Sequence, residues 1–302
     1  MKVPFVTCDV FTTRRFTGNP LLVVPDGRGL TSHEMQAIAR EINYSESTFV
    51  LPPRDPRHAY LQRTFVPTME IPYAGHPTIG TATALATLGR LSGVEGDGRH
   101  EITIEVGFGP LGLEVFRKDG KVDRVRMEQG KPVSENPITD PSLLETICLA
   151  IGLTPEVLAK DLPVQAVSTG NKMLMIPLEN LSDLERSILD LRIGLRVEQQ
   201  LQVLVLYPFV RLDGGRIRAR GFCSDAGIGE DPATGSAAGP LGIYLGHHGV
   251  VTPQNPGFTV HQGVEMGRPS ELEVETSFTD GSPSGVHVSG SAVMVMEGTI
   301  EI

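Results

Sequence analysis

The chain has 302 residues, a formal net charge of −10, 40% hydrophobic residues and only three cysteines. The length suits two domains, each with enough apolar residues for a core of its own. The acidic balance, with no basic patch or Arg-rich run, excludes nucleic acid as an expected partner and gives anionic membranes nothing to attract.

No run of 18 or more apolar residues is present, so no spanning helix is expected. The opening "MKVPFVTCDVFTTRRF" lacks the apolar stretch and small-residue cleavage site of a signal peptide and reads as a strand. A cytoplasmic location follows as an expectation. Cys8, Cys148 and Cys223 form no CxxC pair, and their odd number fits a reducing compartment. There is no HExxH, no Walker loop and no GxGxxG after a strand. No metal and no cofactor are therefore expected.

In chain order, "VPFVTCDVF", "LLVVP", "STFVLP", "YLQRTFV", "EITIEV", "LGLEVF" and "VDRVRM" read as strands punctuated by Gly and Pro turns. Two helices interrupt them. "TSHEMQAIAREIN" carries a capping box, Thr31 with Glu34, and an apolar face of Met35, Ala37, Ile38 and Ile42. "PTIGTATALATLGRL" is apolar on nearly all sides, which requires burial. After the Pro/Ser/Asn-rich "GKPVSENPITDPS" the pattern recurs. "SLLETICLAIGL" reads as a helix, and "PVQAVSTG", "KMLMIPL", "QVLVLYPFV" and "GRIRARGF" as strands. "EDPATGSAAGPLGIYL" opens a second small and apolar helix, ending near His247–His248, which suit a helix C-terminus better than a metal. "GFTVHQG", "SELEVET", "GVHVSG" and "AVMVMEGTIEI" close the chain as strands.

Two pairs of segments echo each other. Setting His76 of "AGHPTIGTATALATLG" against Asp231 aligns Pro77 with Pro232, Gly80 with Gly235, Thr81 with Ser236 and Ala82 with Ala237, at an offset of 155. "TGNPLLVVP" from Thr17 aligns with "TGNKMLMIP" from Thr169, at an offset of 152. Matches in the same order at nearly one offset argue for internal duplication, with a period too long for a solenoid. The expected fold class is α+β: two pseudo-symmetric halves, each a curled, mostly antiparallel sheet around a central helix. The halves are expected at 1–128 and 129–289, with the last strand, about 290–302, free to return to the first.

Asp231 has two readings. It is an N-cap for a helix with a proline in its first turn, or it belongs to a site. The small residues that follow leave amide N–H groups uncovered, as an anion docking on a helix N-terminus requires. With two such helix starts facing one cleft, an imidazole and a carboxylate would share it. Glu46 in "NYSESTFVLP" is an acid in a half-buried strand, on the side of Thr48 and Val50. It reads as a surface residue or as a general acid/base whose pKa rises with partial removal from water.

"DVFTTRRFTGNPLLVV", "NYSESTFV", "PYAGHPTIGTA", "EDPATGSAAGPLGIYL" and "QGVEMGRPS" together resemble, in order and spacing, the PhzF family of phenazine-biosynthesis isomerases. The resemblance runs over nearly the whole chain. It implies the diaminopimelate-epimerase-like fold and a cofactor-free isomerase, like the family's dihydro-hydroxyanthranilate isomerase. It also implies that Glu46 shuttles the proton, with Gly75 and His76 lining the site from one half and Asp231, Gly235 and Ser236 from the other. Racemases of this fold carry a cysteine at each helix start, where this chain is expected to present His76 and Asp231, so a two-thiol mechanism is not expected. One departure is Cys223-Ser224 in "GFCSDAGIGEDP", where many relatives have an apolar residue and a proline.

The sequence thus points to an isomerase moving a proton at carbon in a small carboxylate-bearing amino or hydroxy acid. Glu46, Asp231 and His76 would be catalytic, and Gly75, Gly235 and Ser236 would bind substrate. A homodimer is expected. The rival readings are an epimerase or racemase with a non-thiol base, and a binding protein that keeps the fold without catalysis.

Overall fold

The computed structural model describes residues 1–224 and 229–302. The chain divides into two units, residues 1–128 with 289–302, and residues 129–288.

The first unit comprises β1 (Lys2–Val10), β2 (Asn19–Val24), α1 (Ser32–Ile42), β3 (Glu46–Leu51), β4 (Leu61–Phe65), β5 (Glu70–Ile71), α2 (Gly75–Thr87), β6 (Gly98–Val106), β7 (Gly109–Lys118) and β8 (Lys121–Glu128). The C-terminal strand, Ala292–Glu301, returns to pair antiparallel with β1 from Lys2↔Glu301 to Val10↔Ala292. Most ladders are antiparallel, while β2–β3 and β4–β6 are parallel. α1 forms where its capping box places it. Thr31 accepts from Glu34 N–H, the Glu34 carboxylate accepts from Thr31 N–H, and Asn43 ends the helix in the left-handed region. Its face of Met35, Ile38 and Ala39 closes a core with Val3, Leu22, Val24, Phe49 and Phe65.

α2 has no amphipathic face, and Gly75 through Ala86 are all buried. It packs on β1, β2, β3, β8 and the returning strand. With mostly Ala, Thr and Gly, it contributes little apolar area per residue and relies on close approach. A Cβ at Gly80 would lie 2.6 Å from Leu21 Cδ2 and 2.7 Å from Val10 Cγ2.

The second unit comprises β9 (Val133–Ser134), α3 (Pro141–Ala150), β10 (Gln165–Ser168), β11 (Lys172–Pro177), α4 (Leu181–Arg186), α5 (Leu191–Leu201), β12 (Val205–Leu212), β13 (Arg216–Ala219), β14 (Gly221–Cys223), β15 (Gly229–Asp231), α6 (Gly235–His247), β16 (Gly257–Gln262), β17 (Ser270–Thr279) and β18 (Ser282–Gly290), whose last two residues lie in the first unit. The returning strand is β19. β11–β12 and β13–β16 run parallel, while β9–β10, β10–β11, β12–β13, β12–β14, β14–β15 and β16–β17 run antiparallel. α6 is buried among β10, β11 and β17 as α2 is in its own unit. α3 and α5 cover the opposite side of the sheet over a core that includes Ile147, Leu174, Ile176, Val197, Leu206 and Phe222.

Two expectations change here. α4 and α5 were not foreseen. α5 is capped by Asp190, whose carboxylate accepts from Arg192 and Ile193 N–H, and Gln202 ends it in the left-handed region. The second correction concerns the duplicated helix starts. α6 begins at Gly235 with Thr234 as N-cap, and Asp231 ends a strand instead of capping the helix. α2 begins at Gly75 with Ala74 as N-cap. Gly75 therefore corresponds to Gly235 and His76 to Ser236, at an offset of 160, and Pro72 corresponds to Pro232. His76 and Asp231 are not equivalent positions, and Asp231 stands where the first unit has Ile71. The N-cap positions hold Ala74 and Thr234, neither of them a cysteine.

No described helix is long and apolar enough to cross a membrane.

Candidate active site

In the first unit, the starts of β2 and β3 converge on the start of α2. β3 begins at Glu46, and β2, its parallel neighbour, pairs Leu21 with Glu46. Strand alternation turns Glu46 and Thr48 toward α2, where Thr48 Oγ1 lies 2.8 Å from Thr81 Oγ1. Glu46 Oε2 lies 3.5 Å from His76 Nε2. The Glu46 side chain is 15% exposed and that of His76 4%. Burial pushes the imidazole down to about 3, so it is neutral near neutral pH and the contact is no ion pair.

The other ring nitrogen is engaged as well. Asn19 Nδ2 lies 3.2 Å from His76 Nδ1, and Asn19 Oδ1 accepts from Ser45 Oγ–H at 3.1 Å. Asn19 is fully buried. Gly18 sets its direction. Gly18 has φ of +70°, and a Cβ there would lie 2.4 Å from the Val10 carbonyl oxygen. The amide N–H groups of Gly75 and His76 head α2 and donate to no backbone partner among the described residues.

In the second unit, Asp231 is 7% exposed and accepts from Thr234 Oγ–H at 2.6 Å. The whole segment 231–234 is held by the end of β16, the loop after it and the start of β17. Gln262, fully buried, donates to the Asp231 carbonyl at 2.7 Å and to Thr234 Oγ1 at 2.9 Å. Its oxygen accepts from Thr234 N–H at 3.1 Å and from the Tyr207 hydroxyl at 2.9 Å. Gly263, at φ +74°, packs so tightly that a Cβ would lie 2.5 Å from the Pro232 carbonyl oxygen. Ser270 Oγ donates to that same oxygen at 2.9 Å. The motif "QGVEMGRPS" is thus the cradle of the Asp231 segment. On the other flank Arg220 grips Glu230 with two hydrogen bonds of 2.8 and 2.7 Å and donates to the Ser187 carbonyl at 2.5 Å. Gly235 and Ser236 head α6 with amides that no described residue engages. Ser236 is half-buried, whereas Ala237 to Leu245 are all buried.

The structure therefore brings Glu46, Gly75 and His76 together in one unit, and Asp231, Gly235 and Ser236 in the other. Sequence reasoning missed Asn19, Ser45, Thr234 and Gln262. Asn19 and Gln262 lie in motifs that were visible only as signs of duplication or resemblance. The duplicated Thr-Gly-Asn segment serves both helix starts by different means. In the second unit Thr169 Oγ–H donates to Gln129 Oε1 at 2.5 Å, and Gln129 Nε2 donates to the Gly235 carbonyl at 2.8 Å. Cys223 is buried at the end of β14, and residues 225–228 of its loop lie outside the described residues.

A sheet around a buried helix, twice over, is an α+β fold of the proline racemase and diaminopimelate-epimerase type. Residues 8–298 match the family model of the phenazine biosynthesis-like proteins, PhzC-PhzF. The trans-2,3-dihydro-3-hydroxyanthranilate isomerase of Pseudomonas fluorescens is 34% identical, covering 98% of each chain. The crystal structure of a PhzF-family phenazine biosynthesis protein from Bacillus anthracis is similar with a TM-score of 0.87 at 28% identity, covering 100% of each chain. A Pseudomonas aeruginosa protein named "Predicted Epimerase" is similar with a TM-score of 0.82 at 31% identity, covering 99% of each. The chain belongs to the PhzF family of phenazine biosynthesis-like proteins.

Proposed function

We propose that the chain is a cofactor-independent isomerase that moves a proton between carbons of a small, carboxylate-bearing amino or hydroxy acid. The observation that carries this reading is Glu46, a partly sheltered carboxyl group beside a neutral imidazole. A neutral imidazole is a hydrogen-bond partner for a carboxylate and does not compete as a charged acid. Glu46 takes a proton from a carbon already activated by an adjacent double bond or carbonyl, leaving the electron pair delocalised in the substrate. It then returns the proton to a second carbon.

The amides heading α6, at Gly235 and Ser236, or those heading α2, at Gly75 and His76, receive the substrate carboxylate. Asp231, oriented by Thr234, takes an amine or hydroxyl. Proton transfer by a positioned group contributes ~10²–10⁴ in rate. Fixed donors at developing charge contribute a further ~10²–10³. Together they suffice for an activated allylic carbon acid and fall short for an unactivated one. A homodimer and a cytoplasmic location belong to the same reading.

The experiment is incorporation of deuterium from D₂O, screened by mass spectrometry over small amino and hydroxy acids, trans-2,3-dihydro-3-hydroxyanthranilate among them. Exchange accompanied by a shifted double bond supports the isomerase. Exchange at an α-carbon with loss of optical rotation and no bond shift would instead make the chain an epimerase with a non-thiol base. The similarity to a protein named an epimerase keeps that second reading in the screen.

A further inference from the structure

We infer that Asn19 is a positioning residue that holds His76 as its Nε2–H tautomer, turning that N–H toward Glu46 Oε2 and leaving Oε1 as the atom that carries the substrate proton. The inference rests on the reading of Glu46 as the proton shuttle.

In the structure the amide oxygen of Asn19 turns to Ser45, whose hydroxyl donates to Oδ1 at 3.1 Å. The NH₂ end then faces His76 Nδ1 at 3.2 Å. An amide NH₂ can only donate, so Nδ1 must accept and the ring proton must sit on Nε2. Nε2 is buried and makes no hydrogen bond among the described residues. It lies 3.5 Å from Glu46 Oε2, longer than a hydrogen bond. Catalytic hydrogen bonds are often long without substrate and tighten when it binds.

The opposite arrangement is self-defeating. With the amide reversed, Nδ1 would carry the proton and Nε2 would turn a lone pair, with no proton to donate, toward Glu46 Oε2.

The consequence for Glu46 is positional. Oε2 has no solvent-accessible surface to speak of and faces the imidazole, so a substrate can reach only Oε1. A proton arriving on Oε1 leaves Oε2 as the acceptor from Nε2–H throughout the cycle. His76 thus stabilises the carboxylate without exchanging a proton with it. Ser45 and Glu46 are neighbours in sequence, so the residue that orients the amide and the one that benefits are set by the same strand start.

The test reads the tautomer directly. Protein labelled with ¹⁵N-histidine is examined by long-range ¹H–¹⁵N correlation at neutral pH, with the His76 signals identified by their loss in His76→Gln. The expected result is an Nε2–H pattern in the wild type. In Asn19→Asp a carboxylate faces Nδ1 and can only accept, so the pattern should switch to Nδ1–H. There kcat should fall at least ~10-fold with KM little changed, as wrong-tautomer variants of triad enzymes do. An Nδ1–H pattern in the wild type, or an unchanged pattern in a folded Asn19→Asp, overturns the inference.

Should Asn19→Asp not fold, the wild-type spectrum still decides. Asn19→Ala then supplies the variant: with no group left to donate to Nδ1 it should mix the two patterns, and a pure Nε2–H pattern in it defeats the inference. Failure of the underlying reading looks different: Glu46→Gln would keep its turnover while the tautomer still answers to Asn19.

Discussion

At the scale of single residues, the proposed chemistry rests on Glu46 and His76, and the two differ in how they are tested. Glu46→Gln keeps the shape of the side chain and a hydrogen-bond acceptor for His76 but cannot carry the proton. Turnover should fall by ~10²–10⁴ while the circular dichroism spectrum and melting temperature stay close to wild type. A variant that unfolds would make Glu46 structural, and one that retains activity would remove it from the mechanism.

His76 makes a prediction about stability. Its imidazole is pushed down to about 3 by burial, against 6.5 as the ordinary value. The unfolded chain therefore binds a proton below pH 6.5 that the folded chain refuses until about pH 3. Stability from the neutral imidazole is complete above pH 6.5 and is lost as pH falls toward 3, with a slope approaching ~1.4 kcal/mol per pH unit. Other groups titrate in the same range, so the measurement is the difference between wild type and His76→Gln in denaturant midpoints from pH 7 to 4. The wild type should lose its advantage as pH falls; parallel curves would show that His76 is charged or exposed. The same neutrality predicts that activity has no limb near pH 6.5 belonging to this histidine.

At the scale of elements, packing of the two central helices is decided by absent side chains. Gly80 touches Leu21, Val10 and Cys8 within 3.2 Å of where its Cβ would stand. Gly80→Ala should thus destabilise the chain by overpacking, by ~1–3 kcal/mol, despite alanine's better helix propensity. An equilibrium urea titration showing a stabilised variant would contradict this packing.

Much of this level was legible in the sequence. The capping box of α1, the all-round apolar character of α2 and α6, and the alternating strands follow from local rules. The register of the duplication did not. Proline is acceptable inside the first turn, as Pro77 is, and equally just before a helix, as Pro232 is, because neither place asks for its missing N–H. The Pro-x-x-Gly spacing shared by 77–80 and 232–235 therefore aligned residues of different structural rank. The backbone shows the true pairing through Gly107 against Pro72 and Gly263 against Pro232. Asn19 and Gln262 escaped for a related reason: their roles depend on partners 57 and 28 to 55 residues distant. α5 was legible in principle, from Asp190 and the spacing of "LRIGLRVEQQL", but lay between stronger strand signals.

At the scale of the whole molecule, the order of the chain makes the two units unequal. Residues 129–288 form a continuous stretch with its own core around Leu174, Ile176, Leu206 and Phe222. The first unit is completed only at the end of the chain, when β19 pairs with β1 along nine residues of β1. Without it, β1 becomes a long apolar edge, carrying Val3, Val6, Cys8 and Val10 with one side of its backbone unpaired. We therefore expect a fragment of residues 129–288 to fold alone, with a cooperative thermal transition. A fragment of residues 1–128 should not fold cooperatively, and should aggregate through that edge. Adding a peptide of residues 289–302 should rescue it, restoring slow hydrogen exchange first at the β1 amides. If the 1–128 fragment folds cooperatively without the peptide, the returning strand is an accessory and not the closing element of the unit. If neither the peptide nor its excess restores protection in β1, the ladder between β1 and β19 forms only after the second unit has folded.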